Sequence, residues 1–146
     1  NLVYREEERE MNPYCASTGV ALTPWSPLAR GTLAGSYQGG FGGGSTNRSQ
    51  GQDRERTESL YHGDHVFPIA ERVIETATKY ECSPAQIAVA WLMSKPEVTS
   101  PIVGVSKVSQ LDDLVAAAAI ELASEDVAYL EELYRPVENL LSIGSS

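Results

Sequence analysis

The polar residues that follow Val105 are candidates for binding an anion. Ser106 and Lys107 stand directly after a short apolar run, where the sequence predicts that a helix begins. The first backbone N–H groups of a helix lack intrahelical partners and carry the positive end of the helix dipole, so phosphate binds well there. Gln110 and Asp113 lie one and two turns further along the same face. The pattern fits a phosphate with a base beside the helix, and it also fits a serine N-cap with a solvated polar face.

A second candidate binding segment is Trp25-Ser26-Pro27-Leu28-Ala29-Arg30-Gly31. It follows an apolar run, and ligands of α/β folds bind where strands end. Gly31 would let a ligand come close to the backbone, because glycine has no side chain and tolerates unusual dihedral angles. Arg30 and Arg48 could bring positive charge to a diphosphate. The alternative is an ordinary connection that packs its tryptophan.

Alternating strands and helices must position these segments. Short apolar runs at 2–4, 20–23 and 102–105 predict three buried parallel strands. Helical spacing and capping residues predict helices at 5–18, 65–81, 83–95, 106–119 and 124–134. The capping pattern is clearest at 83–86, where serine, proline and glutamine occupy the positions of a capping box. The order predicts an α/β fold with about three parallel strands and surrounding helices.

Composition narrows the class of partner. The 146 residues include 20 acidic and 11 basic side chains, a net charge of −9, so we expect no nucleic-acid partner. No apolar run approaches the ~18 residues of a membrane span, so we expect no membrane partner. Cys15 and Cys82 lack the spacing of metal ligands and suggest free thiols in a reducing, cytoplasmic compartment. Residues 35–53 hold seven glycines and predict a long loop, and residues 136–146 predict a surface tail.

Four segments carry a family resemblance, at residues 1–11, 24–31, 83–92 and 101–111. In order and spacing they resemble the aldo-keto reductase family, in the branch related to potassium-channel beta subunits. The resemblance implies that residues 1–146 are the C-terminal half of a (β/α)₈ TIM barrel that binds NADP in an extended pose. Many relatives carry asparagine at the position of Leu114, and some carry lysine at the position of Ser36. The resemblance therefore implies that one contact to adenine and one to the phosphates differ in this sequence.

The resemblance also assigns site residues. It implies that Trp25, Ser26, Pro27, Leu28 and Gly31 line the pyrophosphate and that Arg48 lies in a loop that folds over the cofactor. The residues expected to hold the 2′-phosphate side are Gly104, Ser106 and Lys107. Gln110 and Asp113 would contact the adenine end.

The family's catalytic Asp, Tyr, Lys and His lie in the first half of the barrel and have no counterparts in this sequence. We therefore expect no catalytic residues and no metal site, with His62 and His65 in a solvated loop. The parent reaction would be NADP-dependent hydride transfer to an aldehyde or ketone, catalysed by a longer protein or completed by a partner chain. We expect the isolated chain to be inactive. The alternative is a stand-alone, non-catalytic NADP-binding module or half-barrel subunit.

Overall fold

The computed structural model describes residues 1–37, 40–41 and 52–136. Most of the predicted glycine-rich loop at 35–53, including Arg48, lies outside the described residues, as does the predicted tail after residue 136. The α-helices of the described part are α1 (Met11–Thr18), α2 (Gln52–Leu60), α3 (Val66–Lys79), α4 (Pro84–Met93), α5 (Val108–Ala116) and α6 (Ser124–Glu131). Short 3₁₀ segments occur at Glu6–Glu8, Ala29–Ala34 and Ala117–Ala119.

Helices α3 and α4 form the centre of the core. The buried side chains of α3 recur at helical spacing on one stripe, at Val66, Ile69, Ala70, Val73, Thr76 and Ala77. Helix α4 is buried on nearly every side from Ile87 to Leu92, and Trp91 is only 1% exposed. Because each fully buried large apolar side chain contributes about 1.5–3 kcal/mol, this pair supplies much of the stability.

The ends of the helices follow their capping residues. The predicted capping box of α4 is confirmed, since Ser83 Oγ accepts from Gln86 N at 3.2 Å and Ser83 N donates to Gln86 Oε1 at 2.9 Å. Helix α1 ends at Gly19, whose φ of 70° lies in the left-handed region that favours glycine. The prediction of one helix over 5–18 was too long, because Glu6–Glu8 forms a separate 3₁₀ turn before α1.

The strand predictions were largely wrong for the described residues. Residues 2 and 3 lie in a turn rather than a strand, although both side chains are buried. The predicted strands at 20–23 and 102–105 are reduced to two isolated parallel bridges, Leu22 to Val98 and Trp25 to Ile102. A parallel ladder is stable when neighbouring strands flank it, and in the part of the chain that the structure describes each of these segments has a single bridge.

An ionic network ties the start of the chain to α6 and α4. The Arg5 guanidinium donates to Glu8 at 2.7 Å and to Glu131 at 2.8 Å. Glu131 also accepts from Trp91 Nε1 at 2.8 Å and from Lys95 Nζ. Burial acts to raise the pKa of Glu131, but its hydrogen bonds to Lys95 and Trp91 and the charge of Arg5 outweigh burial and lower it. The network fixes residues 1–5 beside the core.

The helices that the structure describes include no candidate membrane span. None of them has both the length and the apolar character needed to cross a bilayer.

Candidate functional site

A surface pocket of about 320 Å³ lies between the two segments that the sequence singled out. It is lined by Trp25, Ser26, Pro27, Leu28, Arg30, Gly31, Ile102, Val103 and Gly104. Seven of these had a predicted role: the resemblance assigned Trp25, Ser26, Pro27, Leu28, Gly31 and Gly104 to the cofactor, and Arg30 was expected to bring positive charge to a diphosphate. The backbone brings the segments together, since Ile102 N donates to Pro24 O at 2.8 Å and Thr99 N donates to Leu22 O at 2.9 Å.

Two pocket residues had no site role in the sequence analysis. Ile102 and Val103 were assigned only to a buried strand, yet both line the pocket and Ile102 is 56% exposed. The signal available was their position directly before Gly104 in the same segment. Trp25 is 61% exposed rather than packed, and the role of its segment stays a prediction.

The pocket loop, residues 26–31, has an unusual backbone. Ser26, Ala29 and Arg30 have φ values of 52°, 46° and 55°, and Gly31 has 98°. A non-glycine residue in the left-handed region costs on the order of 1–3 kcal/mol and persists when its surroundings enforce it. Such strain concentrates at ligand sites, and three such residues in one loop mark this segment as a candidate.

Hydrogen bonds from outside the pocket hold this loop. Asn1 Nδ2 donates to Ser26 O at 3.0 Å and to the hydroxyl of Tyr61 at 3.3 Å. Arg30 Nε donates to Thr57 Oγ1 at 3.3 Å. Burial raises the pKa of Tyr61, so its hydroxyl stays neutral at physiological pH.

The donors at the start of α5 are occupied by the side-chain oxygen of Gln110. Gln110 Oε1 accepts from Ser106 N at 2.9 Å, from Lys107 N at 3.1 Å and from Ser106 Oγ at 3.1 Å. Three donors therefore converge on one carboxamide oxygen, and Lys107, which supplies one of them, is exposed. This donor set suits an oxyanion, and Gln110 itself occupies it here.

Asp113 and Leu114 face the core side of α5. Asp113 Oδ2 accepts from Ser83 Oγ at 2.8 Å, and Asp113 O accepts from Gln86 Nε2 at 3.0 Å. Leu114 is 7% exposed and packs in a cluster with Val89. The sequence placed Asp113 on one face with Ser106, whereas its carboxylate here holds α5 to the start of α4. Its contact with adenine stays a prediction.

One cluster combines residue types that could serve proton transfer. The hydroxyl of Tyr80 donates to Asp126 Oδ2 at 2.6 Å and accepts from Ala123 N at 2.9 Å, while Lys79 Nζ lies 2.7 Å from Asp126. The hydrogen bond to Asp126 raises the pKa of Tyr80. These contacts join the end of α3 to α6.

The two histidines do not meet. His62 is exposed and contacts Ser59 O, whereas His65 is buried with Nε2 at 3.4 Å from Val3 O. The prediction of a solvated loop was thus wrong for His65. Among the described residues no group of three His, Cys, Asp or Glu side chains is arranged to hold a metal ion.

Comparison of the whole sequence with known proteins identifies the family of this chain. The profile of the Aldo/keto reductase family matches residues 1–135, which is most of the chain. The chain belongs to this family. The matched range contains both the pocket loop and the start of α5.

The relatives of this aldo-keto reductase chain include several fungal proteins. It is 49% identical over 94% of its length to a putative aryl-alcohol dehydrogenase of Schizosaccharomyces pombe. It is 41% identical to an aldo-keto reductase of Fusarium vanettenii and 40% identical to a versiconal hemiacetal acetate reductase of Aspergillus parasiticus, each over 93% of its length. The chain spans 37%, 35% and 38% of the length of these three relatives.

Proposed function

We propose that this chain forms the NADP(H)-binding part of an aldo-keto reductase that reduces aldehydes or ketones. The observation that carries the proposal is the pocket between residues 25–31 and 102–104, from which the chain continues directly into the donors at the start of α5. When bound, the nicotinamide cofactor would supply the hydride. The residues of this chain would bind and orient it.

The pocket has the chemistry that a dinucleotide needs. Ser26 and Arg30 offer polar groups for a diphosphate, and Gly31 leaves the backbone accessible. A Cβ added to Gly104 would meet nothing within 4 Å, so this glycine leaves open space in the pocket wall. Ser106 and Lys107 would hold the 2′-phosphate, which favours NADP over NAD in a chain of net charge −9.

The absence of the family's tetrad from the sequence assigns catalysis to residues outside this chain. A longer protein would complete the barrel, with an aryl aldehyde or ketone as the substrate class suggested by the aryl-alcohol dehydrogenase relative. The placement beside potassium-channel beta subunits and the cytoplasmic location stay predictions.

A half-barrel subunit that pairs with another chain is the second candidate. Exposed apolar side chains favour it, since Val108 and Val115 on α5 are 78% and 64% exposed and Ile102 beside the pocket is 56% exposed. Turnover of NADPH with an aryl aldehyde by the chain alone would contradict the assignment of catalysis to residues outside it. Binding without turnover supports a role in nucleotide binding only.

Charge reversal at Lys107 tests the cofactor assignment. We expect Lys107→Glu to weaken NADPH binding by roughly tenfold and to leave NADH binding nearly unchanged, because only NADPH carries the 2′-phosphate. The measurement is a fluorescence titration of the chain with each nucleotide. Lys95→Glu is not a suitable control, because Lys95 donates to Glu131 in the ionic network of the core. Lys107→Gln is the matched variant and should give an intermediate NADPH affinity. Equal losses for both nucleotides would contradict a 2′-phosphate site.

A further inference from the structure

Helix α2 presents two buried hydroxyl groups to the pocket loop. Its side chains at 54–56 and 58–59 are exposed, whereas Thr57 is fully buried. Tyr61 follows one turn later, directly after the helix, and is 3% exposed. Residues four apart lie on the same side of a helix, so both hydroxyls belong to the side of α2 that faces the protein. The inner side of this largely polar segment therefore offers two hydroxyls for hydrogen bonds, while the ring of Tyr61 also packs in the hydrophobic core.

The first hydroxyl reaches the far end of the loop. Thr57 Oγ1 accepts from Arg30 Nε at 3.3 Å and lies 3.4 Å from the hydroxyl of Tyr37. Arg30 lines the pocket and has a left-handed backbone with φ of 55°. This contact therefore fixes the side chain of a strained residue.

The second hydroxyl reaches the near end through one amide group. Asn1 Nδ2 uses its two hydrogens on Tyr61 and on the carbonyl of Ser26, the other strained residue that lines the pocket. Asn1 Oδ1 accepts from Val3 N and Tyr4 N, so every hydrogen-bonding position of the amide is used. A fully satisfied amide has one orientation, so it transmits the position of Tyr61 to Ser26.

We propose that Thr57 and Tyr61 are positioning residues that hold Ser26 and Arg30 in left-handed conformations and so shape the pocket before a nucleotide binds. Left-handed non-glycine residues persist when several contacts enforce them, and α2 supplies contacts to both. A loop already in its bound shape loses less conformational entropy on binding, which increases affinity. The identity of the ligand rests on the proposed function, whereas the bracing of the loop does not.

Conservative variants of the chain test the brace. Thr57→Val and Tyr61→Phe each remove one hydroxyl at nearly constant shape. Thr57→Ser keeps the hydroxyl, and Ser59→Ala removes an exposed hydroxyl of the same helix that bonds only to Arg56 O in the described part. Two readouts are used: the rate of tryptic cleavage after Arg30, with cleavage after Arg72 in α3 as the reference for overall unfolding, and NADPH affinity by fluorescence titration.

We expect Thr57→Val and Tyr61→Phe each to raise cleavage after Arg30 relative to Arg72 by roughly fivefold, as the loss of one hydrogen bond predicts. NADPH affinity should fall by a similar factor, while Thr57→Ser and Ser59→Ala behave as the parent. An unchanged ratio of cleavage at the two sites would overturn the brace, including the case in which cleavage rises in parallel at both. If the parent chain binds no NADPH, the proposed function fails, but the cleavage ratio still decides the brace.

Discussion

At the residue scale, Gly104 leaves open space in the wall of the pocket. It lines the pocket, its φ is outside the left-handed region, and an added Cβ would meet no atom within 4 Å. A side chain there is therefore compatible with the fold, and under the proposed function it would take up space that the nucleotide needs.

We expect Gly104→Val to keep the urea unfolding midpoint of the parent and to weaken NADPH binding by at least roughly tenfold, because the valine would occupy ligand space. Urea unfolding followed by circular dichroism measures the first quantity and fluorescence titration measures the second. Gly19→Val is the contrasting variant, since φ of 70° makes a side chain strained there while the position lies away from the pocket lining. It should lose stability instead of affinity. An unchanged NADPH affinity in Gly104→Val would place the ligand elsewhere.

Helix packing organises the molecule at the element scale. The network of Arg5, Trp91, Lys95 and Glu131 joins the first residues of the chain to α4 and α6. Asn1 at the end of this anchored segment then contacts Ser26. The network thus supports the pocket loop from a distance, through the position of residues 1–5.

The pH dependence of stability should reveal this network. The folded pKa of Glu131 lies below its usual 4.5, so its contribution is present above about pH 4.5 and is lost as pH falls through the folded value. We expect Glu131→Gln to lower the free energy of unfolding by roughly 1–3 kcal/mol at pH 7 and by less at pH 3, where protonation of the carboxylate weakens its ion pairs. Urea unfolding at both pH values measures this. Glu132→Gln, whose carboxylate is 68% exposed beside Arg72, should change little at either pH.

A loss in Glu131→Gln that is equal at pH 7 and pH 3 would show that packing, not charge, accounts for the effect.

Sequence patterns predicted the helices better than the strands, for a physical reason. The helices at 65–81 and from Ser83 depend on local spacing and capping, and both formed close to the predicted residues as α3 and α4. The run at 102–105 depends on neighbouring strands for its hydrogen bonds, and in the described residues it has a single bridge, at Ile102. Helix α2 was not predicted, because its polar sequence has no apolar periodicity.

The candidate site shows the same division. The pocket loop could be recognised from its sequence, since Pro27 and Gly31 mark a turn after an apolar run. The contact between Thr57 and Arg30 could not, because it joins residues 27 positions apart through one hydrogen bond. The capping role of Gln110 was also missed, since spacing places a side chain on a helix face but does not fix its rotamer.

The whole molecule combines an acidic chain with a local group of donors that suit an anion. The net charge of −9 disfavours a phosphate ligand in general, so the proposed binding would depend on the converging N–H groups and Lys107 at the start of α5. The pocket loop and this helix start are separate in sequence and meet through residues 102–104. We propose that they act as one nucleotide site.

Amide hydrogen exchange of the chain with and without saturating NADPH tests that claim most directly. We expect slower exchange in residues 26–31 and 104–110 together, and unchanged exchange in α6, which lies outside the pocket lining. Protection of only one of the two segments, or of neither, would contradict a single site that holds the nucleotide.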